Sequence, residues 1–230
     1  LLPLFGAALN GLFSFFGIRV KKWVTNLIAC GTIFASFVIS CGVFYQLQKL
    51  EPHAREFTLT WFTWFDLTLL KANAAFLIDP LSVTMALVVT GVGFLIHVYS
   101  TAYMAHDACH ARFFSYLNLF CFAMLLLVLA DNLLLMFVGW EGVGLCSYLL
   151  IGFWFDHKPN ASAGMKAFIV NRIGDFGFLI GVMLLFWGLY NAGHPSVTFT
   201  EIRENSHLLN GIMLGPVALV TVVCVFLFVG

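Results

Sequence analysis

One carboxylate stands inside an apolar stretch of the chain, in a position where it could carry ions or protons. Glu141 lies within residues 131–154, which have about the length that a helix needs to cross a bilayer. A charge there costs on the order of 3 kcal/mol unless a partner satisfies it, and such residues usually belong to ion or proton pathways. Glu141 is therefore a candidate translocation residue. The alternatives are a carboxyl kept protonated by burial, or a hydrogen-bonding packing residue.

Three glycines, Gly139, Gly142 and Gly144, surround this carboxylate. Small residues allow a neighbouring membrane helix to approach closely. We therefore expect an adjacent helix to supply a partner for Glu141.

A second group of charged and polar residues lies in the next apolar run. Arg172 and Asp175 are three residues apart, and Asn171 and Asp175 are four apart, so the three share one face of a helix. The spacing predicts an intramembrane ion pair with a functional role, and the alternative is a structural pair that only locks the sixth helix in its bundle. Lys166 lies about 13 Å along the helix from Asp175. It is either a lysine that snorkels to the interface, a second proton-relay position, or a partner for Glu141.

The other candidate ligands give weaker signals. His106 and His110 have metal-like spacing, but they lie in a short surface loop, which rarely supplies a closed ligand set. His97 is expected to be a hydrogen-bonded bundle residue, although histidines can relay protons. The six cysteines show no paired spacing, and no phosphate loop, dinucleotide fingerprint or nucleophile triad is present. We expect no metal and no redox cofactor in this chain.

The composition indicates the elements that must position these residues. The chain of 230 residues is 61% hydrophobic and 10% charged, whereas soluble domains are about a quarter charged. This composition is typical of a membrane protein with several spanning helices. The formal net charge is zero and no basic patch occurs, so nucleic acid is not an expected partner.

Hydropathy predicts an all-α bundle of about seven spans in one membrane domain, 1–230. The predicted spans are 1–17, 23–45, 81–104, 113–130, 132–154, 165–190 and 216–230, the last cut short. Three cations, Arg19, Lys21 and Lys22, place the first loop on the cytoplasmic or matrix side. Because the chain starts without Met and stops inside an apolar run, we expect it to be the N-terminal part of a longer protein.

Three local patterns predict further structure. In the outer segment 46–77, the alternation between Phe57 and Leu70 favours a short β-hairpin, with a surface-lying amphipathic helix as the alternative. Pro80, after Asp79, marks the entrance of the third span. Thr198 and Glu201 have capping-box spacing, which predicts a short surface helix over 199–206.

Four motifs resemble a known family. The stretches 139–154 (GWEGVGLCSYLLIGFW) and 166–178 (KAFIVNRIGDFGF) are similar to the fifth- and sixth-helix signatures of NADH-quinone oxidoreductase subunit L, called NADH dehydrogenase subunit 5 in mitochondria. The stretches 79–82 (DPLS) and 112–120 (RFFSYLNLF) also fit.

The resemblance implies an antiporter-like subunit of the membrane arm of respiratory complex I, with inverted repeats and broken helices. It implies that Glu141 pairs with a lysine of the seventh helix, which would lie beyond Gly230, and that Arg172 and Asp175 modulate that pair. Other membrane-arm subunits, above all the neighbouring antiporter-like subunit, the lipid bilayer and protons are the implied partners. FMN, iron–sulfur clusters and quinone would belong to partner subunits.

The resemblance leaves two other functions open. The large subunit of a multisubunit Na⁺/H⁺ antiporter shares the fold and the glutamate–lysine pair, and a purely structural anchor of the membrane arm is a third hypothesis. The expected location is the bacterial cytoplasmic membrane, with the mitochondrial inner membrane as the alternative.

Overall fold

The computed structural model describes residues 1–18, 20–51, 54–67 and 70–230, and within these ranges it is an all-α bundle with two small hairpins. Five helices are long and apolar enough to cross a membrane. They are α2 (Lys22–Lys49), α3 (Pro80–Tyr103), α4 (His110–Val128), α5 (Leu133–Ile151) and α6 (Lys158–Asn191). Two shorter apolar helices, α1 (Leu2–Phe15) and α8 (Leu219–Val229), lie at the two ends of the chain. The predicted fold class is confirmed.

Several helix boundaries differ from the predicted spans, and the largest difference is at the start of α6. Helix α6 begins at Lys158, with Pro159 in its first turn, so much of the inner loop expected before residue 165 is helical. Proline is compatible with a helix at that position because its missing N–H would have had no partner. Helix α8 begins at Leu219, three residues after the predicted start at 216. It follows a small hairpin whose strands, β3 (Met213–Leu214) and β4 (Val217–Ala218), have two residues each. Gly215, at φ 64°, turns this hairpin.

The outer segment after α2 forms the predicted β-hairpin. Strand β1 (Phe57–Asp66) pairs antiparallel with β2 (Lys71–Ile78). The register shifts between Thr60 and Phe62 and again between Thr63 and Phe65, so that the two tryptophans of β1 fall at bulges. All of β1 is exposed. Thr68 and Leu69 of the predicted strand region, like Arg19 of the cationic loop, lie outside the described residues.

The turn between α4 and α5 is held from both sides by backbone hydrogen bonds. On one side, the Leu77 amide donates to the Leu129 carbonyl (2.8 Å), and the Asp131 amide donates to the Ala75 carbonyl (3.0 Å). On the other side, the Leu133 amide donates to the Val197 carbonyl (3.0 Å). Because these bonds fix the outer end of α5, they also fix the height of Glu141 two to three turns along that helix.

The expected helix starts are present. Asp79 and Ser82 form a reciprocal capping box ahead of α3, with the Ser82 amide 2.6 Å from Asp79 Oδ1. Helix α7 (Phe199–Asn205) occupies most of the predicted surface helix, but the Thr198 side chain makes no capping hydrogen bond. The capping-box spacing therefore predicted where the helix begins, but the capping hydrogen bond that it implied is not formed.

Helix α6 packs between α5 and α8. The buried apolar core of this region consists of Leu133, Phe178, Val182, Leu185, Leu189, Leu209, Leu219 and Val223. Several glycines of α6 face α8, and a Cβ atom at Gly188 would lie 2.6 Å from Leu219 Cδ2. Close approach through glycine is the usual way in which membrane helices pack.

Replacing Gly139 by alanine is expected to destabilise the bundle by about 1–3 kcal/mol, the usual cost of overpacking. A Cβ atom at this position would lie 2.6 Å from the backbone nitrogen of Leu127 on α4, and a backbone atom cannot move aside cheaply. Thermal unfolding of the purified protein measures the effect. Gly42→Ala in α2 is the matched control, because among the described residues no heavy atom outside its own stretch of helix lies within 4 Å of its Cβ position, and alanine is the better helix former. Equal melting temperatures for the two variants would contradict the close α4–α5 contact.

Candidate functional site

Helices α5 and α6 bring Glu141, Arg172 and Asp175 together. Arg172 Nη1 forms an ion pair with Glu141 Oε2 and lies 3.7 Å from Asp175 Oδ2. The side chains of Glu141, Arg172 and Asp175 are 23%, 39% and 9% exposed. One guanidinium thus bridges carboxylates from two membrane helices. The predicted Arg172–Asp175 pair is confirmed, and the bridge to Glu141 is new.

The glycines around Glu141 contact a different helix from the one that supplies its partner. The Cβ positions of Gly139 and Gly142 lie against Leu127 and Ala123 of α4, at 2.6 and 3.0 Å. Gly144 faces α6, but its Cβ position is 3.9 Å from the nearest heavy atom there. The expected close approach is therefore made by α4, whereas Glu141 reaches its partner on α6 through the long arginine side chain.

Trp140 orients the buried carboxylate of the site. Its indole Nε1 donates a hydrogen bond of 2.9 Å to Asp175 Oδ1, and its ring stacks on Phe178 at a centroid distance of 5.9 Å. Asp175 therefore has one oxygen bound by Trp140 and the other facing Arg172. Sequence reasoning missed this residue. The available signal was its position beside Glu141, because a tryptophan in a packed bundle needs an acceptor for its N–H.

The cluster carries an unbalanced charge. With both carboxylates ionised, Glu141 and Asp175 contribute two negative charges and Arg172 one positive charge, which leaves a net charge of −1. Arg172 also lies over the Phe168 ring, 4.7 Å from its centroid, which further fixes the guanidinium. A partly buried site with one uncompensated negative charge attracts a proton or another cation.

A cavity lined by both polar and apolar residues adjoins the cluster. Its volume is about 250 Å³, and Trp140, Gly144, Ser147, Asn171 and Asp175 contribute to its lining. Asn171 and Asp175 face the same cavity, as their spacing predicted. A cavity of this size with several polar groups has room for water molecules, which a proton path requires.

Lys166 lies apart from this cluster. It is exposed and precedes Arg172 by six residues, about 9 Å along α6. Among the described residues Arg172, and not Lys166, is the basic partner of Glu141. A role for Lys166 as a relay position therefore stays a prediction.

Two buried histidines, His97 and His110, are hydrogen-bonded within the bundle. His97 is buried, and its Nδ1 lies 2.7 Å from the Gly93 carbonyl, as expected for a bundle residue. His110 uses both ring nitrogens, with Nδ1 2.9 Å from the Met104 carbonyl and Nε2 2.7 Å from Asn26 Oδ1. With both nitrogens engaged, His110 joins α2 to the start of α4.

At the inner end of the bundle, Asp107 connects the loop between α3 and α4 with the segment that follows α5. It accepts hydrogen bonds from the Trp154 indole (2.9 Å) and the Cys109 amide (2.6 Å). Partial burial alone would raise the pKa of Asp107, but these two bonds and the positive charges of Arg112 and Lys22 bring it below its usual value. Lys22 also donates to the carbonyls of Ala105 and Asp107, at 2.6 and 3.1 Å. The predicted cationic loop is thus tied to the α3–α4 connection.

At the outer end, Asp131 is buried between the hairpin and the segment before α7. Burial raises the pKa of Asp131, and the nearby carboxylates of Glu201 and Glu56 raise it further. Oδ1 of this carboxyl has no hydrogen-bond partner among the described residues. Glu56 is itself paired with Arg203, at 3.0 Å. Folding therefore favours the neutral form of Asp131 relative to the unfolded chain.

Asp131→Asn is expected to stabilise the folded protein at pH 7. Its unfolding free energy should rise by on the order of 1 kcal/mol, and its melting temperature should rise with it. In the unfolded chain an aspartate ionises near pH 3.8, whereas in the folded chain Asp131 ionises at higher pH. Between those values the folded state binds more protons, so its stability falls as pH rises. The advantage of Asn should therefore vanish as pH falls towards 3.8. Asp66→Asn, on the exposed hairpin, is the control. Lower stability of Asp131→Asn at pH 7 would contradict the assignment.

Two family models match the chain. The model described as "NADH-Ubiquinone oxidoreductase (complex I), chain 5 N-terminus" matches residues 64–114. The model described as "NADH:quinone oxidoreductase/Mrp antiporter, TM" matches residues 130–229, which include the whole charged cluster.

Similar proteins come from bacteria and from eukaryotes. The chain is 46% identical over 186 residues to NADH-quinone oxidoreductase subunit L of Mycobacterium tuberculosis, covering 80% of this chain and 29% of that protein. It is 38% identical over 233 residues to NADH-ubiquinone oxidoreductase chain 5 of Phytophthora infestans, covering 100% of this chain and 33% of that protein. The chain thus spans about a third of the length of these curated relatives.

Two solved structures share the fold. A chain of the membrane-bound sulfane sulfur reductase, an archaeal respiratory membrane complex, matches with a TM-score of 0.74 at 17% identity, over 98% of this chain and 42% of that one. A chain of the Mrp complex from Dietzia sp. DQ12-45-1b matches with a TM-score of 0.71 at 18% identity, over 98% and 22%. These likenesses extend the antiporter-type architecture over nearly the whole chain.

Proposed function

Because the chain belongs to the family of NADH-quinone oxidoreductase subunit L and NADH-ubiquinone oxidoreductase chain 5, we propose that it is part of an antiporter-like, proton-translocating subunit of the complex I membrane arm. The observation that carries the proposal is the cluster of Glu141, Arg172 and Asp175, in which one guanidinium lies between carboxylates of two membrane helices. Charged groups are retained at such a depth mainly where ions or protons move.

The three side chains have different tasks in this proposal. Arg172 serves as a fixed positive charge, because the guanidinium group of arginine does not lose its proton in proteins. Asp175 is the more deeply buried carboxylate and is held by Trp140, which suits a fixed negative charge. Glu141 is more exposed and makes its ion pair across the helix boundary, so it is the group that exchanges a proton.

Coupling is electrostatic in this mechanism. A positive charge that approaches or leaves Glu141 changes the free-energy difference between its protonated and ionised forms. The family resemblance implies a second cation near Glu141. It is a lysine of the seventh membrane-spanning helix, the span that begins with α8, and it would lie beyond Gly230. Separation of that lysine from Glu141 would move a proton along the central axis of the membrane arm, with Arg172 and Asp175 setting the local field.

The redox chemistry belongs to other subunits in this proposal. NADH oxidation and quinone reduction, with FMN and iron–sulfur clusters, take place outside this chain, and the released free energy reaches it as a change of charge or conformation. Its partners are the other membrane-arm subunits, including the neighbouring antiporter-like subunit. The membrane is the bacterial cytoplasmic membrane, or the mitochondrial inner membrane.

Copurification tests the assignment. The full-length protein, tagged and extracted in mild detergent, is expected to travel with an assembly that contains flavin and oxidises NADH. Isolation with small antiporter subunits alone, and without flavin, would contradict the complex I proposal.

That second outcome would favour the alternative function, the large subunit of a multisubunit Na⁺/H⁺ antiporter. The model matched over residues 130–229 is shared between the two classes, and the Mrp complex has the same fold. A structural anchor is the third hypothesis, which normal proton transport after neutralising both Glu141 and Asp175 would support.

A further inference from the structure

A second cavity, with a mostly apolar lining around Arg112, lies at the inner end of the bundle. Its volume is about 210 Å³, and it opens between the start of α4, the end of α5 and the start of α6. Its lining includes Arg112, Tyr116, Tyr148, Phe153, Phe155 and Met165. The proposed translocation mechanism makes no use of this cavity.

Arg112 presents unused hydrogen-bond donors at this cavity. Its guanidinium lies over the rings of Phe153 and Phe155, at 4.8 and 5.4 Å from their centroids, and Nη2 donates to the Phe153 carbonyl at 3.4 Å. The buried Nε has no hydrogen-bond partner among the described residues. A guanidinium carries five N–H donors in a fixed plane. Among the described residues Arg112 makes one hydrogen bond, from Nη2 to the Phe153 carbonyl, so donors of its two terminal amino groups remain for a ligand. The aromatic rings hold the plane in place without using those donors.

The surrounding charge favours an anion. Asp107 lies close enough to Arg112 for their charges to interact, but its carboxylate is already bound by Trp154 and the Cys109 amide and also feels Lys22. Ala161, in the first turns of the 34-residue helix α6, also lines the cavity. The N-terminus of a long helix carries a partial positive charge. The positive end of α6 and the Arg112 guanidinium therefore act on the same space.

We propose that this cavity binds the phosphate group of an anionic phospholipid of the inner leaflet. Arginine suits phosphate because its planar fork can donate two parallel hydrogen bonds. Tyr116 and Tyr148 line the same cavity, and a tyrosine hydroxyl is a donor of the kind that phosphate oxygens accept. The site lies at the ends of membrane helices, where lipid head groups are found.

The rim of the cavity identifies a lipid rather than a free phosphate ion as the source. Phe155 and Met165, which line the cavity, are 58% and 57% exposed. Large apolar side chains around a cationic site suit the junction between acyl chains and head groups. A soluble phosphate would gain nothing from that apolar rim.

Native mass spectrometry of the full-length protein in its complex tests the site. Protein is taken from nanodiscs of phosphatidylcholine that contain a minority of phosphatidylglycerol, and the retained phosphatidylglycerol is counted. Arg112→Gln is expected to lower the affinity for this lipid by about tenfold, the typical effect of losing a charge-assisted hydrogen bond. Tyr148→Phe, which keeps the ring, is expected to lower it less. Lys49→Gln is the control, because Lys49 lies at the outer end of α2, across the membrane from the cavity. It should leave the affinity for phosphatidylglycerol unchanged.

The outcomes separate the possible sources. Displacement by millimolar inorganic phosphate as effectively as by phosphatidylglycerol would assign the site to free phosphate and overturn the lipid proposal. Equal retention by wild type and Arg112→Gln would also overturn it. Tyr148→Phe and the competition on wild type keep the test decisive even when Arg112→Gln does not assemble. None of these outcomes depends on copurification with the flavin-containing assembly. The proposed function is therefore tested separately from the lipid site.

Discussion

Replacing Glu141 by glutamine in the full-length protein is expected to slow proton transfer through this subunit by about 100-fold or more, the usual effect of removing a positioned acid or base. Glutamine keeps the size and the hydrogen-bonding capacity of the side chain but cannot exchange a proton. It also removes the cross-helix ion pair with Arg172, while the Arg172–Asp175 contact remains. In the assembled complex, the ratio of protons pumped to electrons transferred should therefore fall while NADH oxidation continues.

Proteoliposomes with a pH-sensitive dye inside, energised with NADH, measure that ratio. Glu204→Gln is the matched control because Glu204 is an exposed residue of α7, outside the membrane helices. The control should pump as wild type does. An unchanged ratio in Glu141→Gln would count against a role for this carboxylate in translocation.

Replacing Arg172 by methionine is expected to have the largest effect on stability. It leaves Glu141 and Asp175 as neighbouring carboxylates without their shared cation. Removing one partner of a fully buried pair costs about 3–5 kcal/mol. Since the Arg172 side chain is 39% exposed, solvent screening brings the expected loss down to about 2–3 kcal/mol. Thermal unfolding of the purified protein, or its yield in the assembled complex, measures this loss.

A combined variant tests the cause of that loss. In Arg172→Met with Glu141→Gln and Asp175→Asn, no unpaired carboxylate remains, so much of the lost stability should return. Arg172→Lys keeps the charge but loses the planar fork that bridges two carboxylates, so an intermediate stability is expected. A triple variant as unstable as Arg172→Met would show that packing of the arginine stem, and not its charge, holds the two helices.

Much of the site was predictable because buried charge is conspicuous in an apolar sequence. Glu141, Arg172 and Asp175 stand out against their neighbours, and helical spacing alone placed Arg172 and Asp175 on one face. Local spacing cannot show which charges meet between helices. That meeting depends on the rotation and height of α5 relative to α6, which packing and the hydrogen-bonded outer turn determine. The cross-helix pair therefore appeared only in the structure.

The same limit explains the other differences. In the sequence, Trp140 is one of many large apolar side chains. Only the structure shows that its indole N–H donates a hydrogen bond to Asp175. The glycines beside Glu141 correctly indicated a close helix, but the sequence could not show that this helix is α4. The β-hairpin was predictable because alternation is a local signal, whereas its two bulges depend on the pairing of β1 with β2.

The protonation state of Glu141 during turnover is the most direct measurement of the central claim. Infrared difference spectra of the assembled complex, recorded between the resting and the NADH-energised state, report carboxyl groups that gain or lose a proton. A carboxyl band is expected in wild type, shifted in Glu141→Asp and absent in Glu141→Gln. The same carboxyl band in wild type and Glu141→Gln would show that Glu141 does not exchange a proton, which would contradict its role in translocation.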